Sequence, residues 1–202
     1  MFLALDGIDG VGKSTQLSLL VEWLRGRGGE VTTCRDPGST PLGESLRELL
    51  LHSGDDRPIG PRAEMLLYMA SRAQLVDQVI RPALERGDAV VSDRYLIANL
   101  AYQAHAGGLE RDTVAGVGAV AIDGVAPDLT IVLDLDPTEA DRRRTGEPDR
   151  MERRDGEYRT RIRAGFLEEA RRDPSRVVVI DAGGSPEEVH AAIRAAVQPL
   201  LG

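Results

Sequence analysis

The chain has 202 residues, a formal net charge of −8, one cysteine and few aromatics (two Phe, one Trp, four Tyr). That length fits one compact domain with its own core, and the acidic balance excludes a general nucleic-acid binder, which needs a basic surplus to neutralise phosphates. With Cys34 alone there is no intramolecular disulfide and no cysteine metal cluster, so a cytoplasmic setting is expected. All but one of the 25 basic side chains are arginine, and the exception is Lys13. Hydrophobic residues make up 42% of the chain, enough for a folded core. No window approaches the roughly 18 uninterrupted apolar residues of a membrane span, and Met1 to Asp6 shows neither a basic leader nor an apolar stretch long enough for a signal peptide.

Short apolar runs alternate with helical patterns. Phe2 to Asp6, Glu30 to Cys34, Asp88 to Asp93, Leu129 to Asp134 and Val177 to Asp181 read as buried strands, each ending near a polar or acidic residue. A first helix is expected from Lys13 to about Arg27. A second, from about 62 to 86, carries Ala63, Leu66, Leu67, Ala70, Ala73, Val76, Ile80 and Leu84 on one face, which is expected to be the buried one. Further on, nine arginines and five acids fall between 142 and 163. A helix from about 151 to 172 follows, with Met151, Tyr158, Ile162 and Phe166 inward and Glu157 paired with Arg161. Strands separated by helices imply right-handed crossovers and a parallel α/β sheet, with ligands beyond the carboxyl ends of the strands.

Between the first strand and first helix, Gly7-Ile8-Asp9-Gly10-Val11-Gly12-Lys13-Ser14 matches G-x-x-x-x-G-K-[ST]. The glycines let successive N–H groups turn inward onto phosphate oxygens, and the helix terminus adds partial positive charge. Lys13 is expected at the β- and γ-phosphates and the Ser14 hydroxyl on Mg²⁺, with Gly7 to Thr15 together binding ATP. A guanine-reading Asn-Lys-x-Asp is impossible with one lysine, so small phosphotransferases lead. His52, His105 and His190 have no metal-ligand spacing.

The phosphate loop is followed in order by Arg35-Asp36-Pro37-Gly38-Ser39-Thr40, Glu44-x-x-Arg47-x-Leu49-Leu50-Leu51 and Ala63-Glu64-x-Leu66. After these stand Ala70-x-Arg72-x-Gln74-Leu75-Val76, Asp93-Arg94-Tyr95, Ala101-Tyr102-Gln103, Pro127-Asp128-Leu129-Thr130 and Asp149-Arg150-x-Glu152. The set resembles the bacterial thymidylate (dTMP) kinases from residue 2 to about 190. The resemblance implies a P-loop NTPase-type parallel five-stranded sheet flanked by helices on both faces, one nucleoside monophosphate kinase-type domain over 1–202 and a lid at about 142–153. It implies ATP and dTMP as substrates, Mg²⁺ as cofactor, a homodimer, and neither nucleic acid nor membrane as partner.

By the same resemblance Asp9 meets the 3′-hydroxyl of the acceptor, Arg94 and Arg47 its phosphate, and Asp93 holds Mg²⁺ through water. Asp36 and Pro37 belong to the turn at the acceptor side, with Asp36 and Ser39 standing where relatives usually have Glu and Gly. Tyr68 stacks on the thymine and Arg72 bonds its O4; the two lie four apart on one helical face. Asn99 and Gln103 read the base edge, Tyr102 packs beside the sugar, and Ala98 stands where a serine is often found. Gly10 carries no basic side chain, so the charge on the moving phosphoryl group is expected to be met from the lid, by Arg142, Arg144, Arg150 or Arg153. The loop Asp181-Ala182-Gly183-Gly184 covers the adenine. The open alternatives are another nucleoside monophosphate or deoxynucleoside kinase, and a non-kinase ATP-binding switch.

Overall fold

The computed structural model describes residues 1–53, 58–144, 150 and 156–201. Five parallel strands are ordered β2-β3-β1-β4-β5: β1 (Phe2–Asp6), β2 (Val31–Arg35), β3 (Ala89–Asp93), β4 (Leu129–Asp134) and β5 (Val177–Asp181). Three strands fall where the apolar runs place them, and β2 and β3 begin one residue later. β1 is central and every one of its residues is buried, which is why it reads as an unbroken apolar run. Alternate side chains feed opposite faces. Leu3 and Leu5 join one core with α1 (Lys13–Arg25), while Phe2 and Ala4 join another with Leu75, Val76 and Ile80.

After β2 the chain forms α2 (Pro41–His52). It then runs through α3 (Pro61–Leu75), a wide π turn (Val76–Ile80) and α4 (Arg81–Glu85). This matches the expected 62–86 helix in length but not in its inward face. Ala63, Leu66 and Ala70 are exposed, and the buried residues of α3 are Glu64, Met65, Met69, Ser71, Arg72 and Leu75. The π turn inserts a residue and rotates the face beyond it, so Val76 and Ile80 are buried while the apolar stripe before them points outward. The inner face of α3 is half polar: Arg72 borders a cavity, and Glu64 and Ser71 pair with Gln103 and Gly38.

Beyond β3 come α5 (Leu96–Asn99), a second π turn (Leu100–Ala106) and α6 (Arg111–Ile122), then α7 (Pro137–Arg143) after β4. α8 (Gly156–Arg172) buries Tyr158, Ile162 and Phe166, and Arg161 lies 3.7 Å from Glu157. It packs on the Leu100–Ala106 turn through Gly165, where a Cβ would come within 2.8 Å of the His105 side chain and 3.1 Å of the Ala101 backbone. One helical turn on, Glu169 ties Arg111 and His105 together at 2.7 and 2.8 Å. α9 (Pro186–Val197), opened by a capping box on Ser185 and Glu188, closes the fold against α1. No helix among the described residues is long and apolar enough to cross a membrane.

Phe166 is fully buried and meets the Tyr102 ring edge-on at 6.1 Å. Phe166→Ala should cost about 3–5 kcal/mol in urea unfolding. A loss under about 1 kcal/mol would mean that this contact does not hold α8 on the site.

Candidate active site

β1 delivers the chain into the phosphate loop, and α1 leaves it with Gly12 as N-cap, no side-chain cap and no acid in its first turn. Its N-terminal N–H groups therefore remain available to an anion. Gly10 has φ +92°, and a Cβ there would fall 2.1 Å from the Ala140 carbonyl. A basic side chain at position 10 would displace α7. The Lys13 ammonium turns back into the loop, donating to the carbonyls of Gly7 (3.1 Å) and Ile8 (2.9 Å) and to Asp9 (3.2 Å). Burial, reinforced by Arg94, lowers the Lys13 pKa from its ordinary value against the pull of Asp9 and Asp93.

Around this loop lies a cavity of about 820 Å³. Its floor is Asp9, Gly10, Val11, Gly12, Lys13, Ser14, Thr15 and Gln16, and Arg35, Asp93, Arg143 and Arg144 stand on its walls. Ala182, Gly184, Pro186 and Val189 close its far end. Gly7 and Ile8 lie behind the floor, with their carbonyls taken by Lys13. A second cavity of about 90 Å³ is bounded by Pro37, Leu51, Tyr68, Arg72, Ala98, Asn99, Tyr102 and Gln103. Asp9, Asp36, Arg47 and Arg94 belong to both.

Arg94 holds that junction. It follows β3 in the left-handed region (φ 68°), which swings its side chain across the sheet end. Its Nη1 donates to Gly7 O at 2.8 Å, and its Nη2 donates to Asp9 and, at 3.2 Å, to Tyr102 Oη. Tyr102 Oη in turn donates to Asp9 Oδ2 at 3.3 Å. Burial works to raise the Asp9 pKa, but Arg94 and Lys13 override it and hold the carboxyl well below the usual range. Burial also keeps the Tyr102 phenol far above its ordinary value, so it stays a hydroxyl donor.

The smaller cavity is built by buried polar pairs. Arg72 is 1% exposed; its Nε donates to Asp36 Oδ2 at 2.6 Å and its Nη1 to the Met69 sulfur at 3.1 Å. Its guanidinium lies 5.3 Å from the Tyr95 ring centroid. The Asp36 carboxylate is thus committed to orienting Arg72. Arg47 donates to the Pro37 carbonyl at 3.0 Å, fixing the turn after β2. Asn99 Nδ2 donates to Gln103 Oε1 at 2.8 Å, and Gln103 Nε2 to Glu64 Oε1 at 3.0 Å.

Of the four lid arginines singled out by resemblance, Arg144 lines the large cavity. Arg142 turns to solvent beside Glu139 at 3.2 Å. Arg150 runs the other way, donating to Leu50 O at 2.7 Å and Glu64 Oε2 at 2.6 Å. Arg153 lies outside the described residues, as do 145–149 and 151–155, which take in the rest of the expected lid and Met151 of the expected 151–172 helix. Two arginines that sequence reasoning passed over reach the loop region. Arg143 lines the large cavity and donates to Ala182 O at 2.8 Å, and Arg159 donates to Asp9 O at 3.0 Å while pairing with Asp141. Arg143 carried no signal beyond its place in a run of three, and Arg159 looked like an exposed helical residue.

The described residues contain no cluster of three His, Cys, Asp or Glu suited to a metal. Asp93 Oδ1 is a buried acceptor with no donor among the described residues, and it lines the large cavity together with the exposed Ser14. A hydroxyl and a carboxylate are hard oxygen donors, which fit a cation that completes its shell with phosphate and water.

Asp6, at the end of β1, is fully buried with Oδ2 accepting from Tyr95 N at 3.1 Å, and its pKa is pushed up from 3.8 to about 7 by burial, against Arg94 and Lys13. A carboxyl bound more tightly to its proton when folded contributes stability below about pH 4 that is lost as pH rises toward 7. Relative to D6N, the parent's unfolding free energy should fall by on the order of 1 kcal/mol per pH unit over that range, measured by urea titration. A constant difference would mean that Asp6 is ionised throughout.

A family model described as "Thymidylate kinase" matches residues 5–193. Curated relatives of that name include one from Deinococcus radiodurans, 46% identical over 199 residues (98% of this chain, 96% of that protein). Another, from Leifsonia xyli subsp. xyli, is 48% identical over 198 residues (96% and 92%). The crystal structure of thymidylate kinase from Ehrlichia chaffeensis superposes with a TM-score of 0.82 at 29% identity, covering 98% of both chains. By the extent of these matches, the chain belongs to the thymidylate kinase family.

Proposed function

We propose that this chain transfers the γ-phosphoryl group of ATP to dTMP, giving ADP and dTDP on the route to dTTP. The observation that carries this reading is that the phosphate-loop cavity and the small polar cavity share Asp9, Asp36, Arg47 and Arg94. Two nucleotides bound in them would meet phosphate to phosphate at that wall.

The loop N–H groups and the α1 terminus receive the β- and γ-phosphates, and Lys13 leaves the Gly7 and Ile8 carbonyls to join them. Arg94, already planar against Gly7 O and Asp9, presents its fork to the phosphate passing between donor and acceptor. Asp9 accepts from Lys13, Arg94 and Tyr102. A carboxylate has about four lone-pair sites, so one is left for the 3′-hydroxyl of the acceptor sugar, beside which Tyr102 leaves no room for a ribose. Arg47 meets the acceptor phosphate, with Asp36 and Pro37 shaping the wall beneath it. Tyr68 and Arg72 take the thymine, and Asn99, held by Gln103, its edge.

Arg144 and Arg143, the latter beside the Ala182–Gly183 loop that would cover the adenine, line the same cavity and would add charge to that of Arg94 as the γ-phosphoryl group moves. Ser14 and, through water, Asp93 would hold Mg²⁺. The ion would neutralise phosphate charge.

We further propose that the chain works as one kinase domain with its lid at 142–153, in the cytoplasm, as a homodimer. The outward stripe of Ala63, Leu66 (53% exposed) and Ala70 on α3, with Val120 (80% exposed) on α6, which packs against α3, supports pairing through these helices.

A coupled assay with Mg-ATP should give turnover on dTMP well ahead of dUMP, dCMP, dGMP and thymidine. Any other acceptor ahead of dTMP would refute the reading. Lys13→Ala should lower kcat by about 10²–10³ while the far-ultraviolet spectrum is kept.

A further inference from the structure

The polar chain behind the small cavity reads as a polarity relay. Glu64 is 2% exposed and sits on the inner face of α3. Its two carboxylate oxygens receive different donors: Oε2 takes Arg150 Nη2 at 2.6 Å and Oε1 takes Gln103 Nε2 at 3.0 Å. A carboxylate has no proton to give. Gln103 must therefore turn its NH₂ toward Glu64 and its carbonyl away. That carbonyl can accept only a donor, and the donor present is Asn99 Nδ2 at 2.8 Å. Asn99 is thereby fixed in turn, with Oδ1 as its remaining group, a buried acceptor for which no described residue supplies a donor. An unpaired buried acceptor is costly unless a ligand satisfies it. Asp36 Oδ1, the other unpartnered acceptor along this wall, belongs to the carboxylate paired with Arg72 and borders both cavities, whereas Asn99 borders only the small one.

We infer that Glu64 is a positioning residue for base selection: through Gln103 it sets Asn99 to present an acceptor to the base. The inference rests on the acceptor reading proposed above. Thymine carries one edge donor, N3–H, flanked by the O4 and O2 acceptors, and an acceptor held at Asn99 completes its pairing. Cytosine has a bare N3 acceptor and is repelled by the same atom. Glu64 touches no substrate and acts through two amides.

The relay makes a directional prediction for Glu64→Gln. Arg150 can only donate, so it holds Oε1 of the new amide and leaves the NH₂ facing Gln103. Gln103 then reverses, Asn99 reverses after it, and a donor replaces the acceptor at the cavity. Calorimetric binding of dTMP and 5-methyl-dCMP without ATP compares two nucleotides that differ only at the 4-position and N3. The parent should favour dTMP, and in E64Q that preference should shrink by at least about tenfold. Arg150→Met leaves Glu64 an acceptor, so it should keep the preference within about threefold whatever it does to turnover. In E64Q/Q103E the carboxylate has moved one link along but still shows Asn99 an acceptor, so the preference should return.

An E64Q preference within threefold of the parent would overturn the inference, even if both affinities fell together. An equal loss in R150M would overturn it too, since Glu64 would then be acting through Arg150. Should E64Q fail to fold, the double variant decides: parent-like preference supports the relay and its absence refutes it. A parent that does not favour dTMP at all would instead sink the acceptor reading.

Discussion

The Arg94 guanidinium is the contact on which the rest of the site depends. It bonds the backbone of the phosphate loop at Gly7, the side chain of Asp9 at the loop's tip and the hydroxyl of Tyr102 from the Leu100–Ala106 turn. The phosphate loop and a turn more than ninety residues further on meet on one planar cation. Lysine would gather its donors on one nitrogen, whereas Gly7 and Asp9 are met by two separate nitrogens, Nη1 and Nη2, of one rigid plane. The left-handed backbone that aims Arg94 across the sheet is a local cost, met by the buried neighbours that hold it: Arg94 N donates to Leu5 O, and Ser92 Oγ donates to Arg94 O.

The same crowding sets the electrostatics. Two cations and several carboxylates share a desolvated corner, and the outcome differs at each group. Asp9, with Arg94 and Lys13 against it, stays ionised, whereas Asp6, a few residues earlier and more deeply buried, is pushed toward the neutral acid. Lys13 is held on carbonyls and Asp9 in a loop shaped for phosphate. An anion arriving there relieves a cationic site that has been desolvated in advance, which is the preorganisation that phosphoryl transfer needs.

Much of this was legible in the chain. A parallel sheet announces itself because buried strands become continuous apolar runs, and a phosphate loop does so because few sequences let the backbone curl and end on Lys-Ser. The lone lysine stands at the position where a compact ammonium fits between two carbonyls. The inward face of α3 was misread for a definite reason. Periodicity finds the apolar stripe but does not say whether core or solvent receives it, and here Glu64, Ser71 and Arg72 take the inside because their partners are Gln103, Gly38 and Asp36. Those partners lie more than thirty residues away, and pairing at that range leaves no local trace. The π turns are likewise invisible to a 3.6-residue pattern. The reach of Arg143 and Arg159 depends on where α7 and α8 dock.

The central claim is that Arg94 joins the donor and acceptor sites through its fork as well as its charge. It is tested most directly by the rate of γ-phosphoryl transfer from ATP to dTMP in a single turnover of Arg94→Lys, by rapid quench at saturating substrates. The account predicts a fall of at least about 100-fold, because an ammonium lacks the two coplanar nitrogens that hold Gly7 and Asp9 apart while facing a phosphate. A rate within about threefold of the parent would contradict it.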